Sequence, residues 1–286
     1  MRGEPAGTPP LPVLPEPLVP VRFLRRRNRF AVEVEPEPGA SPLLLHLANS
    51  GRMTELLVAG AEGMAHLRPR AGAGPGRRTA GSLVLIRHGD RWVGVDAALP
   101  NRLFRAALEA GLLEPFAGWR LLRAEPPLGA GRADFLLAGP RGETATVETK
   151  SCNRVEEATG AALFPDAPTA RGRRHLEDLA GVARQGGRAA VVWFVQRDDA
   201  RLLRPFAEVD PGFARAVARA AAAGVELLAY RCRLEPAGVT VLGPVPVEVE
   251  EAPGAPREEA AGEVPTGAPP LTGAPGPGPV RASPGE

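Results

Sequence analysis

Polar and apolar residues alternate with period two over 29–35, where Phe30, Val32 and Val34 interleave with Arg29, Ala31, Glu33 and Glu35. That period puts successive side chains on opposite faces of a strand. Short apolar runs follow at 43–47 and 82–86, and another strand pattern at 91–95 comes after the Gly89-Asp90 turn. Gly and Pro cluster over 69–81 and break the pattern. Several short strands with turn signals predict a small barrel or sandwich. Near residue 99 the period changes. Apolar residues at 99, 103, 104, 107, 108 and 112 form a helical stripe. Strands are predicted at 118–124, 132–138 and 143–150, a helix over 171–185, and a strand at 188–195. A third helix over 212–223 and strands at 225–234 and 239–249 complete the pattern. The fold class is α/β (α+β), in two domains. Boundaries follow from the pattern: residues 1–15 outside any fold, a barrel over 16–97, an α/β domain over 98–249, and a Pro/Gly-rich acidic tail over 250–286.

Composition sharpens this picture in three places. The chain has 286 residues, 44% apolar and 24% charged, enough for a sizeable core. Its formal charge of +2 hides a split, because residues 248–286 hold seven acids and two arginines, a net −5, leaving +7 on residues 1–247. A basic body of this kind is compatible with a polyanion partner. Cys152 and Cys232 have no ligand-like spacing, so neither a zinc site nor a disulfide framework is expected. No apolar run reaches the length of a membrane span and no signal-like segment is present, so a cytoplasmic protein without membrane contact is expected. Of 35 basic residues, 34 are arginine and the one lysine is Lys150. An ammonium is a compact charge that fits beside a metal and a water, where a guanidinium is a broad fork.

Strand geometry turns that lysine into a site. In the hairpin around Gly139-Pro140-Arg141-Gly142, Thr144, Thr146, Glu148 and Lys150 share one face of the second strand. A loop at 140–142 sets 139 opposite 143, and therefore Asp134 opposite Glu148. Opposed like charges destabilise a sheet unless a cation sits between them. Two carboxylates suit a hard divalent ion such as Mg²⁺ or Mn²⁺. Asp134, Glu148 and Lys150 then form a constellation for metal-assisted phosphodiester hydrolysis, with Asp134 and Glu148 on the metal.

Around these residues the sequence resembles the sugar fermentation stimulation protein (SfsA) family over about residues 16–248. The resemblance is strongest in Gly131-Arg132-Ala133-Asp134-Phe135, in Val147-Glu148-Thr149-Lys150-Ser151, and in the run from Phe164-Pro165-Asp166 to His175-Leu176. His46-Leu47-Ala48-Asn49-Ser50-Gly51-Arg52-Met53 looks like a further family motif in the front domain. The resemblance implies an N-terminal OB-like barrel, a restriction-endonuclease-like PD-(D/E)xK domain, sequence-independent DNA binding and nuclease activity. Three departures stand out: Thr149 replaces an apolar residue, Cys152-Asn153 replaces a Val-Thr pair, and Ala170 replaces a glutamate. Glu156 or Glu157 could take that glutamate's place.

Arg26, Arg27 and Arg29 are candidate phosphate contacts, since arginine can hold two phosphate oxygens at once. Asn49 and Ser50 could offer further donors. Arg171, Arg173 and His175 open the second helix, where charge and free amides favour anions. Glu109 and Glu125 are candidate third metal ligands, and Asp166 is read as orienting its loop. Nucleic acid is the expected partner, DNA ahead of RNA, and a homodimer is compatible. The competing expectation is a non-catalytic DNA-binding regulator linked to sugar metabolism. A small-ligand binding protein lacks the Gly-rich phosphate loop or dinucleotide fingerprint it would need.

Overall fold

The structure is a computed structural model and describes residues 8–69 and 79–249. The tail over 250–286 and the first seven residues lie outside the described residues. The expectation that 1–15 stand apart from the fold is corrected for its second half. Leu11 exchanges backbone hydrogen bonds with Val239 at 2.8 and 3.1 Å, and Val13 and Leu14 are buried in the main apolar cluster. Three apolar side chains among the prolines supply the burial that composition alone did not suggest.

The front domain is built from β1 (Val19–Asn28), β2 (Ala31–Glu35), β3 (Leu43–His46), β4 (Glu62–Leu67) and β5 (Gly81–His88). Neighbours run β3-β2-β1-β4-β5, and a parallel bridge from His46 to Ser82 closes the barrel. Its interior is filled by Val21, Phe23, Val32, Val34, Leu45, Leu83 and Ile86. β4 carries almost no hydrophobic alternation because its inward positions are Gly63 and Ala65. Side chains of Val21 and Leu83 fill the space in front of Gly63, so small residues belong there.

The second domain is a mixed sheet between two layers of helix. β7 (Arg120–Ala124), β10 (Phe135–Ala138), β11 (Thr144–Cys152), β14 (Arg188–Val195), β16 (Glu226–Glu235) and β17 (Gly238–Val245) make the sheet. β11, β14 and β16 run parallel. β14 is buried on both faces, as a central parallel strand is expected to be. Ala190, Val192 and Phe194 face α1 (Leu99–Glu109), while Ala189, Val191, Trp193 and Val195 face α2 (Ala170–Arg184) and α3 (Pro211–Ala222). α1 buries the predicted stripe of Leu99, Leu103, Phe104, Ala107 and Leu108.

Two short pairings escape the sequence pattern: β8 (Pro127–Leu128) with β9 (Gly131–Arg132), and a three-stranded sheet of β12 (Val155–Glu156), β13 (Ala161–Phe164) and β15 (Leu202–Pro205). β6 (Arg91–Gly94) pairs with β5 of the barrel and touches β16 at Leu234↔Trp92, so one hydrogen-bonded sheet runs through both halves.

Candidate active site

The site forms where β10 and β11 part. Their ladder ends at Phe135↔Val147, the register expected from the hairpin, while β11 continues beside β14 to Cys152. Glu148 and Lys150 lie level with Val191 and Trp193, on the side of α2 and α3. Thr149 lies level with Val192, on the side of α1.

Asp134 sits on a bend one residue before β10 rather than inside the ladder. Its Oδ2 accepts the Thr149 amide at 2.7 Å, and its Oδ1 accepts Asn101 Nδ2 of α1 at 3.1 Å. Thr149 Oγ1 lies 2.6 Å from Asn101 Oδ1 and 3.0 Å from Asp134 Oδ2. Glu148 has partners of its own: its Oε1 is hydrogen-bonded by both Lys150 Nζ and His175 Nδ1. The expected pairing of Asp134 with Glu148 inside one continuous ladder is corrected, because the ladder ends at Phe135↔Val147. The bend at Asp134 relieves the like-charge opposition that a continuous ladder would impose. Both carboxylates nonetheless line one cavity of about 800 Å³.

Burial opposes ionisation of Glu148, but the hydrogen bond from His175 and the charge and hydrogen bond of Lys150 outweigh it. The net effect holds its pKa below the usual carboxylate range. Glu148 is 3% exposed, and its second oxygen, Oε2, is buried without a hydrogen-bond partner. A buried carboxylate oxygen with no partner is costly unless something fills the position. A hard cation is what such an oxygen suits. The donor chemistry of Asp134 and Glu148 thus suits a hard divalent ion. Among the described residues no cluster of three or more His, Cys, Asp or Glu side chains stands ready for a metal.

The remaining sequence-predicted residues divide. Arg29, Asn49, Ser50 and Arg171 line the same cavity as Asp134, Glu148 and Lys150. Arg26 does not. Its guanidinium reaches five backbone carbonyls, those of Asn28, Arg29, Asn49, Gly51 and Arg52, at 2.7–3.2 Å. An arginine has five N–H donors, so Arg26 is a clamp on the Asn49-Ser50-Gly51 turn and has none left for phosphate. Burial lowers its pKa from the ordinary value. Arg27 pairs with Glu33 at 3.2 Å outside the cavity. Arg173 ties the start of α2 to Asp210, the N-cap of α3, at 2.8 Å. His175 is 5% exposed and engaged at both ring nitrogens, so it meets Glu148 and Arg171 rather than a ligand.

The candidate third ligands are corrected as well. Glu125 pairs with exposed Arg132 at 3.1 Å, and Glu109 lines a cavity at the other end of α1 with Arg102 and Arg105. Glu156 pairs with Arg204 and Glu157 with His88, both away from the site. Asp166 does enter the cavity, where burial raises its pKa and its Oδ2 accepts the Met53 amide at 3.3 Å. Asp166 thereby braces the barrel turn, and its side chain fills the space where a Cβ on Gly51 would stand. Sequence reasoning missed Asn101. Its one signal was a polar residue beside Pro100 in the first turn of α1, at the sheet end where the carboxylates lie.

A closed five-stranded barrel followed by this α/β sheet defines a class: an OB domain joined to a restriction-endonuclease-like domain. Residues 24–95 match the model described as "SfsA N-terminal OB domain" and residues 98–238 match "Sugar fermentation stimulation protein RE domain". The chain belongs to the sugar fermentation stimulation protein (SfsA) family. It is 47% identical over 236 residues to the sugar fermentation stimulation protein homolog of Moorella thermoacetica, covering 82% of this chain and 99% of that one. It is 46% identical to the Symbiobacterium thermophilum homolog, with 82% and 98% covered. The solved structure of Pyrococcus furiosus SfsA in complex with Ca²⁺ superposes with a TM-score of 0.75 at 29% identity, covering 84% of this chain and all of that one. Among the described residues no helix is long and apolar enough to cross a membrane.

Proposed function

We propose that this chain is a nuclease that uses Mg²⁺ or Mn²⁺ to hydrolyse DNA phosphodiesters at the cavity between barrel and sheet. The observation that carries the reading is Glu148 Oε2, buried and unpartnered in a cavity that also holds Asp134 and Lys150. Asp134 and Glu148 would hold the cation, consistent with the similar P. furiosus protein being described in complex with Ca²⁺, another hard, oxygen-loving ion. When bound, the ion would supply Lewis-acid polarisation of a phosphoryl oxygen.

The chain's own groups do the rest. Asn101 and Thr149 fix the Asp134 carboxylate before any ligand arrives. Lys150 sets one oxygen of Glu148 and leaves the other for the cation. Its ammonium lies in the same cavity, where it would offset the excess negative charge at a five-coordinate phosphorus and orient the attacking water. Arg29 and Arg171 flank the cavity and can bind phosphates on either side of the cleaved one.

The experiment incubates the protein with supercoiled plasmid, single-stranded DNA and RNA, with Mg²⁺, with Mn²⁺ or with EDTA. Cleavage of DNA with metal and none with EDTA is expected. Intact nucleic acid in every lane, from protein that still binds DNA, overturns the reading. One observation favours the second reading, binding without cleavage: Asp134 already accepts two hydrogen bonds, from Thr149 N and Asn101 Nδ2. A Lys150→Ala variant separates the two, since it ends cleavage while leaving DNA binding only if the site is catalytic.

A further inference from the structure

Three polar side chains form a chain of hydrogen bonds into the site. Arg171 Nε donates to His175 Nε2 at 3.2 Å, and His175 Nδ1 meets Glu148 Oε1. An arginine N–H can only donate, so His175 Nε2 must accept. The ring proton of the neutral imidazole then lies on Nδ1 and is donated to Glu148. His175 is 5% exposed and Glu148 3%, while Arg171 is exposed and lines the cavity. Arg171 therefore has one N–H committed inward while the residue lines the cavity where phosphate would enter.

We propose that His175 is a positioning residue for Glu148, and that Arg171 and His175 couple phosphate binding in the cavity to cation binding at Glu148. This rests on the reading of Asp134 and Glu148 as cation ligands. A carboxylate anchored on one oxygen by two donors presents the other in a fixed direction. Partners that orient a ligand in this way strongly influence metal affinity. Phosphate held by the outer fork of Arg171 immobilises the guanidinium. That fixes the Nε–H on His175, the proton on Nδ1, and so the direction of Glu148 Oε2. Linkage makes the effect reciprocal: the cation strengthens phosphate binding by the same factor.

The test titrates the full chain with Ca²⁺ by calorimetry, alone and with a short single-stranded oligodeoxynucleotide. His175→Ala is expected to weaken Ca²⁺ binding about tenfold to a hundredfold. His175→Gln is expected to restore most of it, because its amide can donate to Glu148 and accept from Arg171. A merely structural histidine would not be rescued by glutamine over alanine. The oligonucleotide is expected to tighten Ca²⁺ binding about fivefold or more in the wild type, and by clearly less in Arg171→Ala.

Arg171 is on the surface, so this last variant reads the coupling without disturbing the core if His175→Ala fails to fold. Unchanged Ca²⁺ affinity in His175→Ala overturns the positioning role, and undiminished enhancement in Arg171→Ala overturns the coupling. If wild-type protein binds Ca²⁺ and Glu148→Gln does not, the metal reading stands whatever His175 does. If the wild type binds neither Ca²⁺ nor Mn²⁺, both readings fall.

Discussion

The two walls of the cavity use charge in opposite ways. The barrel's first hairpin is rich in arginine, yet most of that charge is paired with Glu33 or bound by backbone carbonyls. Arg25 and Arg27 pair with Glu33 at 2.6 and 3.2 Å, and Arg26 is wholly engaged by backbone carbonyls. Only Arg29 of this group reaches the cavity. The sheet side keeps its charges in the cavity: Asp134, Glu148, Lys150, Asp166 and Arg171 all line it, Glu148 keeps an oxygen without a hydrogen-bond partner, and Lys150 is the chain's one lysine. The barrel's cations shape a loop, while the sheet's ions keep capacity for a ligand. Counting arginines overstates the surface offered to a polyanion, because a guanidinium with five carbonyl partners is a structural cross-link.

The sharpest break of this comparison is at the sheet wall. Lys150→Ala or Glu148→Gln is expected to lower the rate of metal-dependent plasmid nicking by about a hundredfold or more, with DNA binding retained in a gel-shift assay. Equal rates in variant and wild type would move the chemistry elsewhere.

Next in size is Arg26→Ala, which strips the Asn49-Ser50-Gly51 turn of its clamp. A loss of about 2–3 kcal/mol in urea unfolding is expected, the scale of charged hydrogen bonds left unmade. If Arg26 instead binds phosphate, stability holds and only DNA affinity falls.

The third measurement compares arginines by salt dependence. Arg29→Ala and Arg171→Ala are each expected to reduce the slope of log binding constant against log salt by about one, as for a lost phosphate contact. Arg27→Ala, paired with Glu33 away from the cavity, is expected to leave the slope unchanged. Reversal of that order would place the binding face on the outside of the barrel.

The smallest effect lies at the seam. Burial raises the pKa of Asp166 in the folded protein. An acid raised on folding favours the folded state most below its unfolded pKa, and this advantage is lost as pH rises through the folded value. Asp166→Asn is therefore expected to gain stability over wild type at neutral pH and none in strong acid, read from urea midpoints across pH. A gain that persists undiminished in acid would show that charge burial is not the cause.

Much of this was legible in the chain. The period-two pattern at 29–35, the stripe of α1 and the apolar run of β14 each encode one local geometry; α1 and β14 formed where their patterns lay, while β2 begins only at Ala31 because Arg29 and the exposed Phe30 make the turn from β1. The hairpin register followed from loop length alone. What stayed hidden depends on contacts between distant segments. β4 is masked because its inward residues are Gly63 and Ala65. The bend that takes Asp134 out of the ladder is held by Asn101 and Thr149, 33 and 15 residues away. The inward turn of Arg26 needs carbonyls from Gly51 and Arg52, 25 and 26 residues further on. No local pattern reports such partners. The motif from Phe164 to His175 was visible as a run, but the role of its histidine emerges only once α2 is laid on β11.

The strand β6 has a mechanical consequence. Because it is stitched to the barrel on one edge and to β16 on the other, opening the cleft would require breaking backbone hydrogen bonds rather than flexing a linker. A shift of the barrel relative to the sheet would therefore be felt first at the Leu234↔Trp92 pair.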